Sequence, residues 1–176
     1  MRHLLVILIF FGLTECCLGQ DSTTAIYIDD LVHKIEARLS ADIVETKDTT
    51  VYDEGDTLGK GQFLTVHTQF YTNPQSMQLD KIVEKSMYKK VATELTVYFF
   101  GDQPVRFTNR QWDANTLKFD FDIYYMNGKS VYFVKRNDLK GSPDSDMYLK
   151  WCYELRKDYI RIVQEFNQTF ASRKSR

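Results

Sequence analysis

Cysteine is scarce in this chain and badly placed for stapling it. Cys16 and Cys17 fall within the first twenty residues, which leaves Cys152 by itself in the remainder. A domain with one thiol has no internal disulfide, so a cross-linked framework is excluded and stability must come from a hydrophobic core. Histidine is equally thin: His3, His33 and His67 are the whole supply, and no pair has the His-x-x-x-His spacing of a metal site. Neither sign of charge dominates, with 23 basic against 24 acidic residues and a net charge of −1. That balance removes the electrostatic argument for nucleic acid or for an anionic membrane surface. Beyond Leu13 no apolar run approaches the length of a membrane-spanning helix.

What is present begins with a leader. Arg2 and His3 form a short basic start, Leu4 to Leu13 are apolar or glycine, and Leu18-Gly19 offers a small residue before Gln20. Residues 1–20 therefore read as a secretory signal cut after Gly19 or Gln20, with a secreted, periplasmic or cell-envelope destination. Lipid anchoring at Cys16 or Cys17 is the competing reading, opposed by Glu15 at the place where a small residue should precede the cysteine. Loss of the leader removes one Arg and one Glu, so the net charge stays at −1. Residues 21–176 are enough for one domain with its own core.

Within that domain two stretches repeat at an offset of 26 residues: Val97 to Arg110 aligns without a gap on Ile123 to Arg136. Each copy reads as strand, tight turn, strand, which predicts an antiparallel meander of duplicated hairpins. Upstream, Phe63 to Tyr71 and Leu79 to Met87 read as two more strands around an Asn73-Pro74-Gln75 turn. Ile43-Val44 and Val51-Tyr52 read as short edge segments in a polar loop. In the repeat, Leu95, Val97, Phe99, Phe119, Phe121, Ile123 and Tyr125 alternate with polar neighbours. A three-residue turn, Met126-Asn127-Gly128, keeps that apolar set on one face by pairing Ile123 with Val131 and Phe121 with Phe133. The same shift in the first copy pairs Val97 with Val105 and Leu95 with Phe107.

Two helices flank the strands. Ile28, Leu31, Val32, Ile35 and Leu39 make one apolar stripe over residues 24–39, and a longer stripe from Tyr148 to Phe170 predicts a helix over 145–171. Ser142-Pro143 and Asp144 are its start signals. The resulting fold class is α+β: an antiparallel meander of about six strands with the N-terminal and long C-terminal helices packed on one face.

Tyr124-Tyr125-Met126-Asn127-Gly128-Lys129-Ser130-Val131 resembles the aromatic-aromatic-x-Asn-Gly-Lys hairpins that recur in small exported bacterial proteins. The resemblance spans mainly residues 63–136; it implies strands and turns and carries no catalytic residues across.

Chemistry-bearing groups are few. Cys152 paired with His67 is one conceivable nucleophile, but the cysteine shares a stripe with Leu155, which argues for a buried inert thiol. Gly59-Lys60-Gly61 lacks the Lys-Ser or Lys-Thr of a phosphate loop and reads as a loop. Asp120 and Asp122 point from one sheet face, as an acid–base or calcium pair would, and equally as partners of cross-strand arginines. Asn167-Gln168-Thr169 is a glycosylation sequon that says nothing of function. No cofactor and no metal site is expected.

The face away from the expected helices is the candidate recognition surface: Tyr98, Arg106, Arg110, Asp120, Asp122, Tyr124, Tyr132 and Arg136. Tyrosine and arginine give large contact area with little entropy to lose. The sequence thus points to an exported non-enzymatic binding or structural module whose partner is an unknown protein or envelope component. The alternative is a carrier of a small apolar ligand, in a cavity between sheet and C-terminal helix lined by Phe107, Phe121, Phe133 and Trp151.

Overall fold

The computed structural model describes residues 22–53, 62–137 and 142–174. The leader and Gly59-Lys60-Gly61 lie outside the described residues. Helix α1, Ser22–Arg38, ends in a single 3-10 turn, Leu39–Ala41. Seven strands follow: β1 Ile43–Asp53, β2 Gln62–Thr72, β3 Leu79–Tyr88, β4 Val91–Phe100, β5 Gln103–Asp113, β6 Thr116–Met126 and β7 Lys129–Lys135. Helix α2, Ser145–Lys174, closes the chain, with the Asp144 carboxylate accepting from the amides of Asp146 and Met147 as an N-cap.

All strands pair antiparallel in chain order, β1 to β7. The fold class is the α+β meander with flanking helices, and among the described residues it has seven strands because the two short edge segments are parts of one long β1. The polar content of β1 hides it: Thr and Val favour the strand, but neither face shows a clean apolar alternation.

The turn between β6 and β7 corrects the expected pairing. It has two residues, Asn127 and Gly128, both left-handed (φ 51° and 71°), as a type I′ turn requires. Ile123 therefore pairs with Phe133 rather than Val131, and a β-bulge after Ser130 leaves Val131 as the extra residue. In the first copy Val97 pairs with Phe107, Leu95 with Asn109, and Val105 is the extra residue. The β5–β6 hairpin repeats the device, with Ala114 and Asn115 left-handed and Lys118 extra. First turn residues fall at 101, 114 and 127, so the structural period is 13, half the sequence repeat. Each bulge restores the register that a two-residue turn alone would have set one residue off, and it turns Val105 and Val131 to the opposite face.

That opposite face carries the second correction. The helices do not share a side: α2 covers Phe70, Ile82, Leu95, Val97, Phe107, Phe121 and Ile123, with its own Cys152, Leu155 and Tyr159 in the same core. Helix α1 lies on the other face, where Ala25, Ile28, Val32 and Ile35 pack on Tyr98, Val105 and Tyr124, flanked by Val131, Tyr132 and Val134. The bulged valines and the tyrosine rings supply the apolar patch that receives the α1 stripe. The sheet is the middle of three layers.

Candidate functional site

All eight residues of the candidate surface do stand on one face, since Tyr98, Arg106, Tyr124 and Tyr132 are successive cross-strand partners, as are Arg110 and Asp120. That face is not open. Under α1, Tyr98 is 9 % exposed, Tyr124 3 % and Asp122 0 %. The Tyr98 hydroxyl donates to Glu36 of α1, Lys81 donates to the same carboxylate at 2.7 Å, and Arg106 reaches Asp29 at 3.1 Å. Burial raises the Tyr98 hydroxyl and the neighbouring Glu36 raises it further, so it stays a donor. Burial also pushes Glu36 up, but the hydrogen bonds from Lys81 and Tyr98 prevail and hold its carboxyl below the usual range.

Asp122 anchors the centre. Arg106 donates to its Oδ2 at 2.6 Å and Arg136 donates to the same oxygen. Burial opposes its charge, yet Arg136, Arg106 and Thr108 together keep its carboxyl below the ordinary range. Asp120 takes Arg136 at 3.1 Å and Arg110 at 3.6 Å. Below α1 the signs alternate across the strands from Lys85 through Glu94, Arg110 and Asp120 to Arg136. The two aspartates are thus committed to arginines, the structural one of their two readings, and they are buried rather than solvated. Of the eight, Arg110 and Arg136 keep the most water, with side chains 43 % and 37 % exposed.

The other candidates separate. Cys152 is fully buried in the core under α2, and burial pushes its thiol up to about 12. His67 projects from the other face of the sheet and bonds Asp48, its cross-strand partner, so the sheet stands between the two. A thiolate–imidazole pair is excluded by topology.

The expected ligand cavity is filled where the sequence puts it. Tyr148 packs on Phe107 and Phe121 with ring centres 4.8 and 5.4 Å away, Phe133 closes on Phe121 at 5.8 Å, and Trp151 stacks on the outer side of Tyr148. Space between sheet and α2 opens instead at the other end. There, beside the edge strand β1, a groove of about 520 Å³ is lined by Ile43, Glu45, Thr46, Thr72, Met77, Tyr159, Ile162, Val163 and Asn167. It forms because α2 crosses the sheet obliquely, from Ser130 and Tyr125 near its start to Thr72 and Lys47 near Tyr159 and Asp158. Most of the surface it presents is apolar. Thr72 donates to the Tyr159 hydroxyl at 2.8 Å on its floor, and the Oε2 atom of Glu45 is buried there without a hydrogen-bond partner. Sequence reasoning missed this site; the trace was Ile162-Val163 in the helix stripe together with Ile43, one of the few apolar residues of a mostly polar strand.

Among the described residues no helix is long and apolar enough to cross a membrane. No protein-family model, no curated protein and no solved structure matches the chain.

Proposed function

We propose that this chain is an exported, non-enzymatic binding module whose recognition site is the groove between β1, β2 and the C-terminal half of α2, and that it carries a small, mainly apolar ligand. The groove itself is the observation that carries the reading: about 520 Å³ of space against Ile43, Met77, Ile162 and Val163 is in the range of small-molecule pockets, which are concave, apolar and marked by a few polar groups. Met77 is 62 % exposed and Ile43 45 %, so the groove is open to an incoming ligand. The polar–aromatic face serves the fold instead, as its tyrosines and aspartates are spent on α1 and on arginines. A buried thiol on one side of the sheet and an exposed imidazole on the other leave no nucleophile–base pair between them, in keeping with a binding role.

Native mass spectrometry of protein purified from its own source tests this. A retained small molecule, lost from a Val163→Trp variant that fills the groove, is the expected result. A bare mass for the unaltered protein, or a ligand retained equally by the variant, overturns it.

A further inference from the structure

An edge strand leaves the outward-facing N–H and C=O groups of alternate residues unpaired and invites another strand, and proteins usually blunt such edges. Among the described residues strand β1, Ile43–Asp53, pairs with β2 alone and is the sheet's edge on the groove side. Two features at this edge stand incomplete. The Glu45 carboxylate has a buried Oε2 without a hydrogen-bond partner, although a buried acceptor of this kind costs free energy until it is paired. Two residues on, Lys47 projects from the same face and is bound on one side by Asp158 of α2 at 2.7 Å, with its side chain 31 % exposed.

Strand geometry decides what fits. If β1 pairs antiparallel with β1 of a second copy about a two-fold axis normal to the sheet, opposite residues share a face and both α2 helices stay on one side. Registers centred on Glu45, Lys47 or Asp48 put like charges face to face, at a cost. The register centred on Thr46 opposes each Glu45 to the other copy's Lys47, and each Ile43 to Thr49. It gives each Glu45 carboxylate one cation from the other copy, and symmetry makes two such pairs. Helix α2 runs past the edge at this point, Ile162 and Val163 lining the groove at β1, so the same pairing brings an apolar helix stripe of each copy over the joint.

We infer that the protein forms a two-fold dimer through β1, in the register centred on Thr46, held by two reciprocal Glu45–Lys47 ion pairs and extending the sheet across both copies.

Charge reversal tests the register. Sedimentation velocity on the chain purified after export should show a dimer. Glu45→Lys sets lysine against lysine, and Lys47→Glu sets glutamate against glutamate; each should weaken self-association more than about tenfold. An equimolar mixture of the two single variants should re-form the dimer, because every cross-strand pair in the mixed species is of opposite sign, and the double variant Glu45→Lys/Lys47→Glu should do the same. Circular dichroism of each variant reports the fold independently. A monomeric unaltered protein, single variants that dimerise as well as it does, or failure of both the mixture and the double variant to associate overturns the assignment. Self-association and ligand retention are separate readouts: a monomer that still retains a ligand overturns the β1 pairing and leaves the groove reading standing.

Discussion

At the scale of single residues, two aspartate environments, one buried and one half-buried, respond to pH in opposite directions. Asp122 sits between Arg106 and Arg136 with its carboxyl held low. A depressed folded pKa contributes stability that is present above the ordinary carboxylate range and is lost as pH falls through the folded value. Removing its charge breaks a buried pairing with both arginines, leaving Arg106, itself largely buried, with Asp29 and Arg136 with Asp120. Asp122→Asn should therefore destabilise by about 3–5 kcal/mol at neutral pH, read from the urea midpoint. Asp42 is the reverse case: burial raises its carboxyl first, the neighbouring Asp80 raises it further, and Arg38 only partly opposes them. Arg38 is already bonded to both oxygens of Asp80, at 2.6 and 2.8 Å. A raised folded pKa means that stability declines as pH climbs from the ordinary carboxylate range through that value. Asp42→Asn should accordingly raise the urea midpoint at pH 7 and leave it nearly unchanged in acid; a lower midpoint at pH 7 would contradict the assignment.

At the scale of elements, the three bulged hairpins share a two-residue turn and a bulge on unequal sequences. Both turn residues are left-handed in the second and third, and only Gly101 is so in the first. Asn127-Gly128 suits its two left-handed positions, whereas Ala114 holds φ 45° without a polar side chain or a missing Cβ to ease it. Replacing Ala114-Asn115 by Asn-Gly should stabilise by about 1 kcal/mol. Gly128→Ala meets no steric neighbour closer than the Tyr153 hydroxyl at 3.9 Å but must hold φ +71°, and should cost about 1 kcal/mol. Thermal melts of both variants check the pair, and equal melting points would remove left-handed strain as the explanation. The same hairpins mark how far the sequence could be read. The apolar alternation of Val97, Phe107, Phe121, Ile123 and Phe133 identifies their common face correctly. It does not show a bulge, because one extra residue has no compositional signature, so a three-residue turn explains the alternation equally well until the backbone is seen. Asn127-Gly128, the strongest two-residue hairpin signal in the chain, pointed to the observed turn and required the bulge as its corollary. Strand β1 was hidden for a different reason: an edge strand with polar residues on both faces has no periodicity to detect.

At the scale of the whole molecule, the three layers differ in what each needs from the others. The α2 layer closes an aromatic core, with Phe107, Phe121 and Tyr148 in mutual ring contact and Phe70 packed on Tyr159. Helix α1 covers a face that is largely self-sufficient in charge, because the alternation from Lys85 to Arg136 and the Arg106–Asp122–Arg136 cluster are built within the sheet and the residue that follows it. What α1 adds is the burial of Ile28, Val32 and Ile35 and two acids, Asp29 and Glu36. Sequence periodicity found the α1 stripe but could not place it, since a face of tyrosines and charges resembles a surface until the valines turned over by the bulges are counted. If α1 is a separable layer, Ile28→Asp, which puts a charge at a position 1 % exposed, should undock the helix without melting the sheet. Hydrogen exchange should then show α1 amides losing nearly all protection, while β4 to β6 keep theirs behind the α2 core. Uniform loss of protection across both faces would mean instead that the two cores fold as one cooperative unit. Retention of α1 protection would mean that Asp29, Glu36 and the remaining stripe suffice to hold it.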